Sequence, residues 1–190
     1  MKRVVVLLFI GISVISCNQN MDTDNASEQV DETVEIEDTL VIDKSVDYSE
    51  IGFQLMEEEV VNGLKLNMKV EEIEKITGKP HNITTFEYWG ADGYEHQSRF
   101  YQDSTIDVNY IKLEDGSIVS DRIYIDNNPE YKTLQAIGLG STKHEVLEAY
   151  DGQISSVSEE NIIVGSIYGG LFFYLKDEKV TSLYLGAGAE

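Results

Sequence analysis

Cysteine, proline, tryptophan and positive charge are all scarce in this sequence. A single cysteine, Cys17, in 190 residues excludes an internal disulfide framework, so packing has to hold the fold. The two prolines, Pro80 and Pro129, fall at the ends of apolar-patterned stretches and act as stops. Lys and Arg number 14 against 35 Asp and Glu, a net charge of −21. So acidic a chain is not expected to bind nucleic acid or an anionic membrane surface, because both need Lys and Arg against phosphate. No apolar run reaches the roughly 20 residues of a membrane-spanning helix. Catalytic parts are missing as well: there is no G-x-S-x-G and no phosphate-binding glycine loop. His81, His96 and His144 lack the close spacing of zinc ligands and read as surface histidines. Glu57-Glu58-Glu59 reads as a water-facing acidic run rather than an acid–base pair. The expectation is a protein without enzymatic activity, cofactor or metal.

What is present begins with a leader. Lys2 and Arg3 precede a short apolar run over residues 4–15, the pattern of a signal peptide. It ends in Val14-Ile15-Ser16-Cys17, which resembles a bacterial lipobox. That resemblance implies cleavage before Cys17 and acylation of its thiol, making Cys17 the lipidation site and residues 1–16 the leader. Each buried CH₂ contributes about 0.8 kcal/mol, and two chains suffice for stable attachment to a membrane. If the envelope is Gram-negative, Asn18 rather than aspartate after the cysteine points, by resemblance to lipoprotein sorting, away from inner-membrane retention and so to the outer membrane, on its periplasmic or surface side.

Residues 17–47 carry ten acidic side chains against Lys44, with no aromatic residue and no glycine, and read as a disordered tether. Without the leader the chain carries −23, of which the tether holds −9 and residues 48–190 hold −14. Such a surface suits a basic protein partner, and it also serves solubility and distance from a negative membrane. Asp38-Thr39-Leu40 and Asp103-Ser104-Thr105 resemble a short O-glycosylation motif of some envelope proteins.

Two stretches organise the remainder, residues 62–80 and 135–153, which match at an offset of 73: Leu66 with Leu139, Glu72 with Glu145, Ile73 with Val146. Each reads as a helix closed by a glycine, Gly78 or Gly152. Thr142 and Glu145 form a capping box, and Asn67 is placed to cap the first helix. Leu66, Val70, Ile73 and Ile76 recur at helical spacing, as do Leu139, Val146 and Tyr150, leaving Glu71, Glu74, Lys75 and Glu148 for solvent. Strand patterns follow each helix, over 83–89, 94–102, 106–113 and 118–125, then over 154–157, 162–168, 171–175 and 180–185. Asp126-Asn127-Asn128-Pro129 separates the halves. The expected organisation is therefore α+β: two tandem modules, residues 48–128 and 129–190, each with one or two helices on an antiparallel sheet of about four strands.

In the last hairpin an odd loop length puts Leu171, Phe173, Leu175, Leu183 and Leu185 on one face and Phe172, Tyr174 and Tyr184 on the other. In the earlier hairpin a two-residue turn would group Ile106, Val108 and Tyr110 with Val119, Ile123 and Ile125. A three-residue loop would instead group Ile111 and Leu113 with Val119, Ile123 and Ile125, and is preferred because it keeps Lys112 off the buried face.

The Gly-Leu-x-Leu-Asn-Met and Ile-Gly-Leu-Gly-Ser entries into these helices resemble the small modules of the BamE (SmpA/OmlA) lipoproteins. They are similar also to the tandem modules of the β-lactamase inhibitory proteins. The resemblance implies a binding role in which sheets present aromatic side chains to a protein partner. No cysteine stabilises either half, and Glu178 stands where a hairpin glycine is expected. Trp89, Phe172, Tyr174 and Tyr184 are the candidate partner-binding residues, because exposed aromatics bury much area at little entropic cost. The expected function is a lipid-anchored, envelope-located binding protein, with inhibition of its partner as one form of that role. An assembly or structural lipoprotein and a carbohydrate-binding surface lipoprotein are the alternatives.

Overall fold

Asp47 opens the folded region rather than closing a tether. Its Oδ1 accepts from the Ser49 and Glu50 N–H groups at 3.0 and 3.2 Å and caps α1, Tyr48–Glu58, a helix the sequence reading did not contain. The computed structural model describes residues 42–188; Cys17, the leader and most of the acidic segment lie outside them. Helix α2, Val70–Thr77, starts at Lys69, whose N–H donates to the Glu72 carboxylate at 2.8 Å, and stops at Gly78 with φ +83°. Asn67 is not its cap but a left-handed turn residue at φ +60°. Helix α3, Lys143–Ala149, carries the expected capping box: Thr142 Oγ1 accepts from the Glu145 N–H at 3.2 Å, and the Glu145 carboxylate accepts from the Thr142 N–H at 2.6 Å.

The strands are β1 (Asn82–Ile83), β2 (Glu87–Tyr88), β3 (Glu95–Tyr101), β4 (Ile106–Lys112), β5 (Ile118–Asp126), β6 (Ile154–Val157), β7 (Asn161–Ser166), β8 (Gly169–Lys176) and β9 (Lys179–Gly186). They do not form two separate sheets. One antiparallel sheet of nine strands runs β1-β3-β4-β5-β9-β8-β7-β6, with β2 also pairing β3. The expectation of two small helix-on-four-strand modules is therefore wrong: among the described residues three short helices accompany one continuous sheet. The physical reason is the seam. The last strands of the two halves, β5 and β9, pair through Ile123 with Leu185, Tyr124 with Tyr184 and Ile125 with Leu183. That pairing satisfies two edges that separate modules would leave open. Helix α1 ties the halves further, since it precedes α2 in sequence yet packs on β7 and β8.

One face of the sheet is the core. Ile106, Val108, Tyr110, Ile123, Ile125, Leu183, Leu185, Leu171, Phe173, Ile162 and Val164 are fully buried on it. Buried Ile73 of α2 and Val146 of α3 join the same cluster, with Leu55 and Met56 of α1 packed against it. The opposite face bears no helix among the described residues.

Parity along both long hairpins is set by β-bulges. Between β8 and β9 the turn is only two residues, Asp177 and Glu178 at φ +51° and +59°, and an extra residue, Thr181, shifts the register. The leucine face and the aromatic face fall as expected, for a different reason. Between β4 and β5 the preferred grouping fails. Ile111 does pair Val119, but Asp121 bulges out, so Tyr110 pairs Ser120 while Val108 pairs Ile123. Ile106, Val108 and Tyr110 therefore share the core face with Ile123 and Ile125. Glu74 is also corrected: it is mostly buried, paired with Lys79 and 4.0 Å from Arg99, while Ile76 of the expected apolar stripe is 38% exposed.

Candidate functional site on the open face of the sheet

Alternation along β5, β9 and β8 aims Tyr124, Tyr184 and Phe172 away from the core at directly paired positions. Phe172 and Tyr184 meet edge to face at 5.4 Å between ring centroids, and Tyr124 meets Tyr174 at 6.3 Å. Their accessibility differs. Tyr174 is 40% exposed, but Phe172 is only 8% exposed. The chain just past β9 turns back over Phe172. The Tyr184 hydroxyl donates to the Ala187 carbonyl, and the Gly188 N–H donates to the Ile167 carbonyl at 3.0 Å. A Cβ on Gly188 would stand 2.6 Å from the Phe172 ring, so only glycine allows this approach.

Trp89 lies at another corner of the face, in the turn joining β2 to β3. Its ring stacks on His96 at 4.0 Å and 15°, and the Arg122 guanidinium covers it at 4.6 Å. Both ring faces are thus occupied, which leaves Trp89 no flat platform for a sugar. Arg122 joins the two aromatic groups, because the space above Gly186 is bounded by the Arg122 side chain at 3.0 Å and the Tyr184 hydroxyl at 3.2 Å. The structure therefore brings Trp89, Tyr184, Phe172 and Tyr174 onto one face, with Arg122 and Tyr124 as members the sequence reading missed. The strand alternation of β5 could have supplied Tyr124. Arg122 could not be found, because the bulge at Asp121 decides its side.

Two titratable groups on this face are shielded from water, and one of them, His96, departs from the sequence expectation. His96 is not a surface histidine: its Nε2 lies 2.7 Å from Asp92 Oδ2 and its Nδ1 2.8 Å from Asn109 Oδ1. Asp107, cross-strand from Tyr124, has a buried Oδ1 without a hydrogen-bond partner. Burial pushes its carboxyl up to about 6, opposed only by a hydrogen bond with Ser98.

On the helix side lies a cleft of about 310 Å³, between Ile51, Gln54 and Leu55 of α1, Leu134, and Tyr150 and Gln153 after α3. Glu59 lines it and, unlike Glu57 and Glu58, is buried. Its Oε1 accepts from the Leu134 N–H at 2.8 Å and the Val60 N–H at 3.1 Å, tying the end of α1 to the second half of the chain. Desolvation raises its pKa against those bonds. The carboxylate is a clasp in this arrangement, with the Tyr150 hydroxyl beside it.

His144 is exposed, as expected, and His81 Nε2 lies 3.1 Å from Ser104 Oγ. The Asp103-Ser104-Thr105 motif sits on an exposed turn in which Gln102, Asp103 and Ser104 are all left-handed; Asp38-Thr39-Leu40 lies outside the described residues. Among the described residues no helix is long and apolar enough to cross a membrane, and no group of three or more His, Cys, Asp or Glu is placed to hold a metal ion. No protein-family model, curated protein or solved structure matches this chain.

Proposed function

We propose that this chain is a lipid-anchored protein of the cell envelope, without enzymatic activity, that binds another protein through the open face of its sheet. The observation that carries the reading is the contiguous group of Tyr124, Tyr174, Tyr184 and Arg122 on a helix-free sheet face, residue types enriched where interfaces concentrate their energy. The acidity of the chain favours a basic partner, which electrostatic attraction would steer toward it. Lipidation at Cys17 supplies the anchor, and in a Gram-negative envelope Asn18 supports an outer-membrane position. This keeps the binding role implied by the BamE-like resemblance and rests it on one sheet instead of two modules.

The test uses full-length Cys17→Ser protein. The substitution should move the chain from the membrane to the soluble fraction; retention through salt washing would remove the lipid anchor from the reading. Offered to an envelope extract, the soluble variant should retain one basic protein stoichiometrically. Tyr174→Ala should weaken that complex about 30-fold, near 2 kcal/mol, without unfolding the chain. Retention on glycan resin, or a complex indifferent to Tyr174, would overturn it.

A further inference from the structure

His96 is the buried histidine of the chain, its side chain only 1% exposed, and its ring is occupied on every polar position. Nε2 faces Asp92 Oδ2 at 2.7 Å, and Nδ1 faces Asn109 Oδ1 at 2.8 Å. Asn109 directs its amide nitrogen to Ser98 Oγ at 3.4 Å, which turns its carbonyl oxygen toward the histidine. Both partners of the ring are therefore acceptors. A neutral imidazole has one N–H to give, whereas the imidazolium has two. We propose that His96 is a proton-dependent latch: with both ring nitrogens protonated it bonds Asp92 and Asn109 together and pins the turn bearing Trp89 over the corner of the open face.

Apart from the Arg122 guanidinium over Trp89, little else ties that turn to the rest of the sheet. Strand β2 is two residues long, paired only as Glu87 with His96 and Tyr88 with Glu95, and Tyr88 is 70% exposed. Within the turn, the Trp89 N–H donates to the Tyr94 carbonyl and the Gly93 N–H to the Trp89 carbonyl, both at 2.9 Å, but neither bond crosses to β4. The Asp92–His96–Asn109 chain does cross, and the Trp89 stack rides on it. The surrounding charges come from every neighbouring element. Glu87 and Glu95 belong to β2 and β3, and Lys112 of β4 pairs Glu95 at 2.9 Å. From β5, Asp121 and Arg122 pair with each other at 3.2 Å. Asp92 is the carboxylate that meets the ring. The Tyr94 N–H and His96 together hold Asp92 below the usual carboxylate range although desolvation, the largest single influence, pushes the other way.

Loss of the ring proton gives up one of the two bonds, and the turn with Trp89 swings away from Asn109 and Arg122. The consequence for a partner rests on the reading above, since the turn borders the proposed binding face; the latch itself does not. The test needs no partner. Trp89 is the one tryptophan of the chain, so its emission reports this turn alone. In full-length Cys17→Ser protein, the imidazolium stacked on the indole quenches it, and emission should rise as pH rises, with far-UV circular dichroism unchanged. Ring nitrogen shifts should show two N–H groups on His96 at the acid end and one beyond the same midpoint. His96→Gln should abolish the fluorescence transition and His81→Gln should keep it. Asp92→Asn, which keeps the histidine and guards against a misfolded His96→Gln, should move the transition to lower pH. A single N–H on His96 throughout, flat emission while the ring titrates, or a transition that survives His96→Gln would overturn the latch.

Discussion

Asp107 is the residue most at odds with its surroundings. One carboxylate oxygen is buried without a partner, and the group's pKa lies near 6 instead of 3.8 because burial disfavours the charge. The raised value fixes the sign of its linkage. Below pH 3.8 the group is protonated in both states and its contribution is whole; as pH rises toward 6 the unfolded chain ionises first and stability falls. Asp107→Asn should therefore stabilise the protein at pH 7 by about 2 kcal/mol, allowing for partial screening, and by nothing below about pH 4. Urea melts across this range test it; an equal effect at both ends would mean that ionisation is not the cause. Residues of this kind are not legible in a sequence. Glu59, Glu74 and His96 all read as solvated, yet Glu59 and His96 are buried and Glu74 is mostly so, because elements remote in sequence lie over them.

Helix α1 shows why an element can escape a periodicity argument. It is amphipathic only in part, and a glycine, Gly52, sits in its middle, where glycine weakens a helix by about 1 kcal/mol against alanine. Gly52 is the point at which the helix touches the sheet. A Cβ there would lie 1.9 Å from the Gly169 carbonyl oxygen, and one on Gly165 would lie 2.6 Å from the Gly52 Cα. Gly165 of β7 and Gly169 of β8 are the other half of that contact. Gly52→Ala should thus destabilise the fold by about 1–3 kcal/mol, overpacking outweighing the propensity gain. Gly63→Ala would be a poor control because Gly63 has φ +90°, so Glu50→Ala on the exposed side of α1 serves instead. A Gly52→Ala protein as stable as its parent would mean the crossing is looser than drawn. Elements whose ends are specified locally were legible: the Thr142–Glu145 capping box, the glycine stop at Gly78 and most strand positions all lie where the sequence put them. Bulges leave no such local mark, so the parity of β4 and β5 came out wrong.

At the scale of the whole molecule, the internal repeat invites a division at residue 128, and the pairing in space opposes it. Strand β5 is the last strand of the first half and β9 the last of the second, yet each covers the other's edge. Helix α1 belongs to the first half in sequence and to β7 and β8 in packing, and Glu59 then bonds the Leu134 N–H. A fragment of residues 129–190 would lose its helical cover over β7 and β8 and expose β9 as an edge rich in leucine, an arrangement that aggregates or stays unfolded. A fragment of residues 42–128 would keep α2 over β5 but carry α1 without β7 and β8, the strands it chiefly packs on. The expected outcome is that neither half shows a cooperative thermal transition alone, while mixing them restores one, since the seam and the α1 crossing together re-form the buried cluster. Circular dichroism melts of the halves, singly and mixed, measure this. A cooperative transition in residues 129–190 alone would show that the second half carries its own core and that the seam merely joins finished units.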